Sequence, residues 1–195
     1  MSWRVLVAVG LAGCGLLSPR APQPPEYGGT QEYQQPTTPA AVVENFQHAV
    51  ARQDVVAFLR CLLDSTEAPG RSYRFEPSGQ ALARYGAVFA HWDREAERQS
   101  FLGMLSRILP GAAPELILIA PVFELRTPDS AVFRAEYRLS VPHREPGVPG
   151  TARGMLRWTL VPLPNGFWVI QRWTDLDAAD TAAISWSVFK ALWRL

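Results

Sequence analysis

Apolar residues change their spacing four times along this chain, and each change predicts a boundary. From Val5 to Leu17 they run nearly unbroken, in VLVAVGLAGCGLL. Over residues 15–38 periodicity is absent. Pro19, Pro22, Pro24, Pro25 and Pro36 alternate there with Gln23, Gln31, Gln34, Gln35 and the pair Gly28-Gly29. Such a stretch cannot bury enough surface to offset its ordering entropy, so it reads as a semi-extended linker over 14–37. From Thr38 a helical period begins. Val42, Val43, Phe46, Ala49 and Val50 share a face, with Pro39 suited to the first helical position and Thr38 to the cap. Asp54 is the candidate cap of a second helix carrying Val55, Phe58, Leu59 and Leu62, and the short gap at Arg52-Gln53 makes the two a hairpin.

After an irregular stretch with a short strand predicted at Ser72 to Phe75, Leu82, Tyr85, Phe89 and Trp92 mark another helical face. Leu102, Leu105, Ile108 and Leu109 either continue it or form a separate helix, with Asp93 the candidate break and Pro110-Gly111 the stop. The period then drops to two. Glu115 to Arg126 is apolar on both faces, as in a central strand. In Ala131 to Val141, Phe133, Ala135, Tyr137, Leu139 and Val141 face one way, and Arg134, Glu136, Arg138 and Ser140 the other. Arg153 to Leu163 and Phe167 to Thr174 flank Asn165-Gly166, which predicts a two-residue hairpin. That register sets Trp158 opposite Trp173 and Leu160 opposite Gln171. Leu156, Trp158, Leu160, Val169 and Trp173 then face the helices. Val161, Leu163, Trp168 and Ile170 form an apolar patch on the outer face, which predicts a homodimer through that patch.

Helices followed by strands predict an α+β domain, helices packed on a curved antiparallel sheet. The opening TTPAAVVENFQHAVARQDVVAFLRCL resembles the first helix pair of the nuclear transport factor 2-like superfamily, the cone fold shared with polyketide-cyclase-like proteins. The closing WTLVPLPNGFWVIQRWTDL is similar to its last two strands. The resemblance covers residues 38–176 of a domain spanning 38–195. The remainder predicts an extra helix over 178–195, capped by Asp177 or Asp180. Ile184, Val188, Leu192 and Leu195 form its stripe, widened by Trp186, Phe189 and Trp193, while Ser187, Lys190 and Arg194 fill the remaining sector.

The first segment changes the picture of location. Arg4, the short apolar run and the small Ala12 and Gly13 follow the plan of a secretory leader too short to cross a bilayer. Leu11-Ala12-Gly13-Cys14 resembles the lipobox of bacterial lipoproteins. That resemblance implies a signal peptide over 1–13, palmitate-type lipidation of Cys14 and an exported protein anchored to a bacterial cell membrane. Gly15, where an aspartate favours inner-membrane retention, implies the outer membrane in a Gram-negative cell. With Cys14 modified, Cys61 has no partner for an internal disulfide.

Charge excludes more than it suggests. The chain carries 19 basic and 18 acidic residues, a balance that makes no case for nucleic acid. The three histidines, His48, His91 and His143, lack ligand spacing, and there is no His-Glu-x-x-His, paired-Cys motif, phosphate loop or nucleophile elbow, so no metal or cofactor is expected. Enzymes of the resembling superfamily place Asp, His, Tyr or Arg in an apolar cone. The ligand-pocket candidates here are Tyr73, His91, Tyr137, Trp158 and Trp173. His48 reads as solvated, Asp54 as a cap and Cys61 as a core thiol, and no catalytic residue is assigned. The reading is a membrane-anchored cell-envelope lipoprotein whose non-catalytic cone binds a small apolar ligand or an envelope protein. The alternative is a hydratase-, isomerase- or cyclase-type enzyme using a buried Asp, His or Tyr.

Overall fold

The structure, a computed structural model, describes residues 33–180 and 182–194. The leader, Cys14 and most of the linker lie outside the described residues. The helix pair forms as its caps dictate. In α1 (Pro39–Ala51), Thr38 Oγ1 accepts the Ala41 N–H at 3.2 Å. In α2 (Val55–Arg60), Asp54 Oδ1 accepts the Ala57 N–H at 2.9 Å. Then come β1 (Arg74–Glu76), α3 (Gly79–Phe89) and α4 (Arg94–Leu105). The chain does break at Asp93, which leaves helical geometry and caps α4 through the Ala96 N–H at 2.9 Å. Strands β2 (Glu115–Arg126), β3 (Ala131–Ser140), β4 (Thr151–Pro162) and β5 (Trp168–Asp177) follow, then α5 (Trp186–Arg194).

The five strands form one sheet in the order β1-β5-β4-β3-β2. The β1–β5 pair is parallel, so the sheet is mixed rather than wholly antiparallel. β3 alternates as predicted, with Phe133, Ala135, Tyr137 and Leu139 buried. β2 overturns its prediction: it is an edge strand, paired only with β3. Ile119, Val122 and Leu125 stay exposed at 47, 40 and 46%. Apolar residues on both faces therefore mark an open edge here. The register shifts between Ile119 and Val122, around Ala120 at φ +48° and the N–H-less Pro121, as edge strands commonly do.

The β4–β5 hairpin keeps Trp158 opposite Trp173 but sets Leu160 opposite Ile170, not Gln171. A two-residue turn would need an N–H from Pro164. The closing pair therefore moves back to Leu163, whose N–H donates to Phe167 O at 2.7 Å, and Gly166 takes φ +83° in a three-residue loop. A bulge between Thr159 and Leu160, with Gln171 the extra residue, restores the distal register. Trp168 and Ile170 thus join the face of Trp158 and Leu160, and Val169 pairs with Val161 on the other face.

The predicted dimer patch is corrected as well, because Val161, Leu163, Trp168 and Ile170 are all buried within the chain. Leu62 bridges Ile170 in parallel, and Ile170 exchanges backbone bonds with Cys61 and Leu63. Arg71, on the loop after α2, donates to Pro162 O at 3.3 Å. The end of the predicted linker also docks on the domain. The Trp168 N–H donates to Pro36 O, Gln34 exchanges two hydrogen bonds with the Asn45 side chain, and Tyr33 Oη donates to Asp54. The folded unit therefore begins by Tyr33, before the predicted boundary at 38.

The last helix is shorter than the predicted 178–195. Asp177 is used by the Gln80 N–H and Asp180 by the Ala182 N–H, so neither caps it. Ser185 does, through its carbonyl and Oγ on the Val188 N–H. α5 then lies so close to α4 that a Cβ on Gly103 would stand 2.0 Å from the Trp193 carbonyl oxygen. Elsewhere Gly→Ala in a helix stabilises by up to about 1 kcal/mol. Here Gly103→Ala should destabilise by about 2 kcal/mol, since backbone must move to relieve the clash. Urea unfolding measures the sign, and a stabilised variant would contradict the close approach.

Candidate functional site

The cone interior is filled rather than open. Phe46 of α1 meets Trp158 and Trp173 at ring-centroid distances of 4.7 and 5.4 Å, and the two indoles meet edge-on at 5.7 Å. Trp186, the first residue of α5, enters the same cluster, 4.7 Å from Trp173, 5.8 Å from Tyr137 and 6.0 Å from Phe46. The void left beside α5, between Phe58, Phe101, Met104, Trp186 and Trp193, is about 10 Å³, room for one water at most. A ligand cavity runs to several hundred. Filling has a cost: among the described residues the indole N–H groups of Trp158 and Trp173 find no acceptor.

Of the five pocket candidates, Tyr73, Tyr137, Trp158 and Trp173 are brought into this interior, as core rather than as the wall of an open pocket. His91 is not. It lies exposed between α3 and α4, while its neighbour Trp92 turns inward. His48 is exposed on α1. Asp54 is a cap, its carboxyl held below the usual range mainly by the Ala57 N–H. Cys61 is a buried core thiol, pushed up to about 12 by burial. Among the described residues no group of His, Cys, Asp and Glu could hold a metal ion.

Two buried polar clusters underlie α5, and most of their members escaped the sequence reading. In the first, Asp175 of β5 is wholly buried. It accepts Tyr137 Oη at 2.7 Å, the Ser187 N–H at 2.7 Å and the Ser187 hydroxyl. Tyr137 Oη in turn accepts the Trp186 N–H at 2.7 Å. A carboxylate at the first turn of a helix satisfies amides that have no intrahelical partner. Burial pushes the Asp175 carboxyl up against the opposing pull of Ser187 and Tyr137, and burial plus the neighbouring carboxylate pushes the Tyr137 phenol far up.

In the second cluster, Glu97 of α4 and Lys190 of α5 form an ion pair at 2.6 Å, with side chains 1 and 3% exposed. Glu97 Oε1 also accepts Tyr73 Oη and Trp92 Nε1, each at 2.8 Å. Burial lowers the Lys190 ammonium to about 8, with Glu97 opposing. The sequence carried a usable signal for both clusters. A helix as apolar around its circumference as α5 is buried on most sides, so its Ser187–Lys190 sector has to find polar partners inside. Asp175 shares the inward parity of Trp173, a place where a carboxylate needs donors.

An open cleft of about 490 Å³ lies elsewhere. It is bounded by Tyr33 and Pro36 of the docked segment, Val42 and Asn45 of α1, Cys61 and Val169.

No family model and no curated protein matches the chain. Solved structures match its fold. A nuclear transport factor 2-like superfamily protein from Salmonella enterica serovar Typhimurium is 15% identical, with a TM-score of 0.52, over 72% of this chain and 88% of its own. A provisionally named scytalone dehydratase from Novosphingobium aromaticivorans is 10% identical, with a TM-score of 0.54, over 75 and 89%. A conserved protein from Planctomyces limnophilus is 15% identical, with a TM-score of 0.52, over 70 and 91%. The α+β cone fold expected from the sequence is therefore the fold of this domain.

The Lys190 environment sets a pH dependence. Its folded value lies near 8, below the ordinary 10.5. Between those values the unfolded chain holds a proton that the folded chain has released, so stability rises with pH across that window. Glu97 and Tyr73 face the same ammonium, and Asp175 lies close enough to act on it. Lys190→Met should abolish the rise, because methionine has no proton to release. Urea titrations from pH 7 to 10.5 on both proteins measure this.

Proposed function

We propose that this protein is an exported lipoprotein, held to a bacterial cell membrane by acylated Cys14, whose cone domain is a non-catalytic binding module. The observation that carries the non-catalytic part is the filled interior. Asp175 and Tyr137 are the residues an acid–base enzyme of this fold would present to substrate, and both are sealed beneath α5. The hydratase- or isomerase-type alternative needs that helix out of the way. The anchor rests on the Leu-Ala-Gly-Cys motif and the proline-rich run after it. No helix among the described residues is long and apolar enough to cross a membrane.

For a small apolar ligand, the cleft beside Tyr33, Val42 and Val169 suits better than the cone, since its volume falls in the range of small-molecule sites. For a protein partner, the exposed Ile119, Val122 and Leu125 along β2 offer apolar contact at an open strand edge. Both surfaces lie outside the cone and leave its core intact.

Two experiments test this reading. Cells fed a palmitate analogue should label the wild-type protein and not Cys14→Ala; equal labelling of both removes the anchor. Native mass spectrometry of the domain from residue 32 onward tests the site. A copurified ligand should be displaced by Gln35→Trp, which sets an indole at the exposed rim of the cleft, and retained by Tyr137→Phe in the cone. The reverse pattern would return the ligand to the cone.

A further inference from the structure

The surroundings of Lys190 are more specific than an ion pair needs. Its Nζ stands 3.5 Å from the Trp173 ring centroid and 3.6 Å from that of Phe75, with the Trp92 ring at 5.9 Å. Glu97 Oε1 closes the remaining side at 2.6 Å. Aromatic faces carry negative potential, and rings around a carboxylate make a box that holds an ammonium group both by charge and by quadrupole.

The origin of the walls matters most. Phe75 comes from β1, Trp173 from β5, Trp92 from the α3–α4 connection and Glu97 from α4. Glu97 is oriented by Tyr73 and Trp92, neither of which belongs to α5. The rings that face the ammonium, its carboxylate and the hydrogen bonds that aim that carboxylate are thus supplied by the rest of the domain. Besides the ammonium itself, α5 brings Trp186 and Trp193, which border the adjoining void. A void of about 10 Å³ adjoins the pair, between Glu97, Ser100 and Lys190.

We propose that this box is a binding site for small primary alkylammonium ions, occupied in cis by the Lys190 side chain as a tethered ligand. A free amine takes the same place once the lysine head is removed or withdrawn. The lysine stem reaches the box from the helix backbone, so the preferred ion is short and unbranched, with its nitrogen on Glu97 and its methylenes between Phe75 and Trp173. The inference does not depend on the lipid anchor or on the external cleft.

Chemical rescue tests it in the full chain. Lys190→Ala removes the stem beyond Cβ and leaves the box intact, and ethylammonium chloride is the probe. Lys190→Ala should melt below wild type, and ethylammonium should raise its melting temperature with the logarithm of its concentration above the dissociation constant, by roughly 3 °C at tenfold that constant. Equal concentrations of ethanol or sodium chloride should not. Wild type, whose box is full, should not respond, and neither should the double variant Lys190→Ala/Glu97→Gln, which lacks the carboxylate. If Lys190→Ala does not purify folded, refolding yield from urea with the same additives replaces the melting temperature. An ethylammonium effect matched by ethanol, shared by wild type, retained without Glu97, or absent from Lys190→Ala overturns the proposal.

Discussion

The docking of one short helix decides what this cone is. α5 is held by its ends and by its middle: Asp175 takes the Ser187 N–H of its first turn, Glu97 takes its lysine, and Gly103 lets α4 come within contact of its Trp193 carbonyl. None of these groups tolerates being left alone. A buried carboxylate without donors, or a buried ammonium without its counter-ion, costs several kcal/mol, so each side of the interface needs the other. Apolar burial of Trp186, Phe189 and Trp193 supplies the attraction, and the two polar clusters set the register at which it is realised.

That docking leaves the cone with a solid interior. Trp173 and Tyr137 become neighbours of Trp186, and Trp158 packs on Trp173 behind them. Open space is left on the outside, in the cleft beside the docked segment at Tyr33–Pro36 and along the bulged edge of β2. The aromatic and acidic surroundings of Lys190 keep one specific feature inside the cone, a cation site made by the body of the domain and filled from its own terminus.

The two strand corrections have one origin. Pro164 removes an N–H from the turn, so the hairpin closes one residue earlier and a bulge absorbs the difference. Pro121 removes one from β2, at the point where that strand shifts register beside solvent. In both places the missing donor was visible in the sequence. Its consequence, which residues change face, depends on what the neighbouring chain offers.

Local chemistry determined a good deal from the sequence alone. The caps at Thr38 and Asp54 start their helices where the side chains can reach the free amides, and the alternation of β3 orients Phe133 to Leu139 without help from elsewhere. The Trp158–Trp173 pairing agrees with the expected register only because the bulge at Gln171 undoes the one-residue shift at the turn. Only the tertiary structure decided that β2 lies at the edge, that the loop after α2 covers the hairpin end, and that Ser187 and Lys190 point inward. The inward turn of Lys190 and the cover over the hairpin end turn on contacts some ninety positions apart, Glu97 with Lys190 and Arg71 with Pro162, while Ser187 is fixed by Asp175 and β2 by having β3 as its one strand neighbour. A periodic pattern shows which face of a helix is polar, but whether that face meets water or a buried carboxylate is settled by whatever else the chain folds against it.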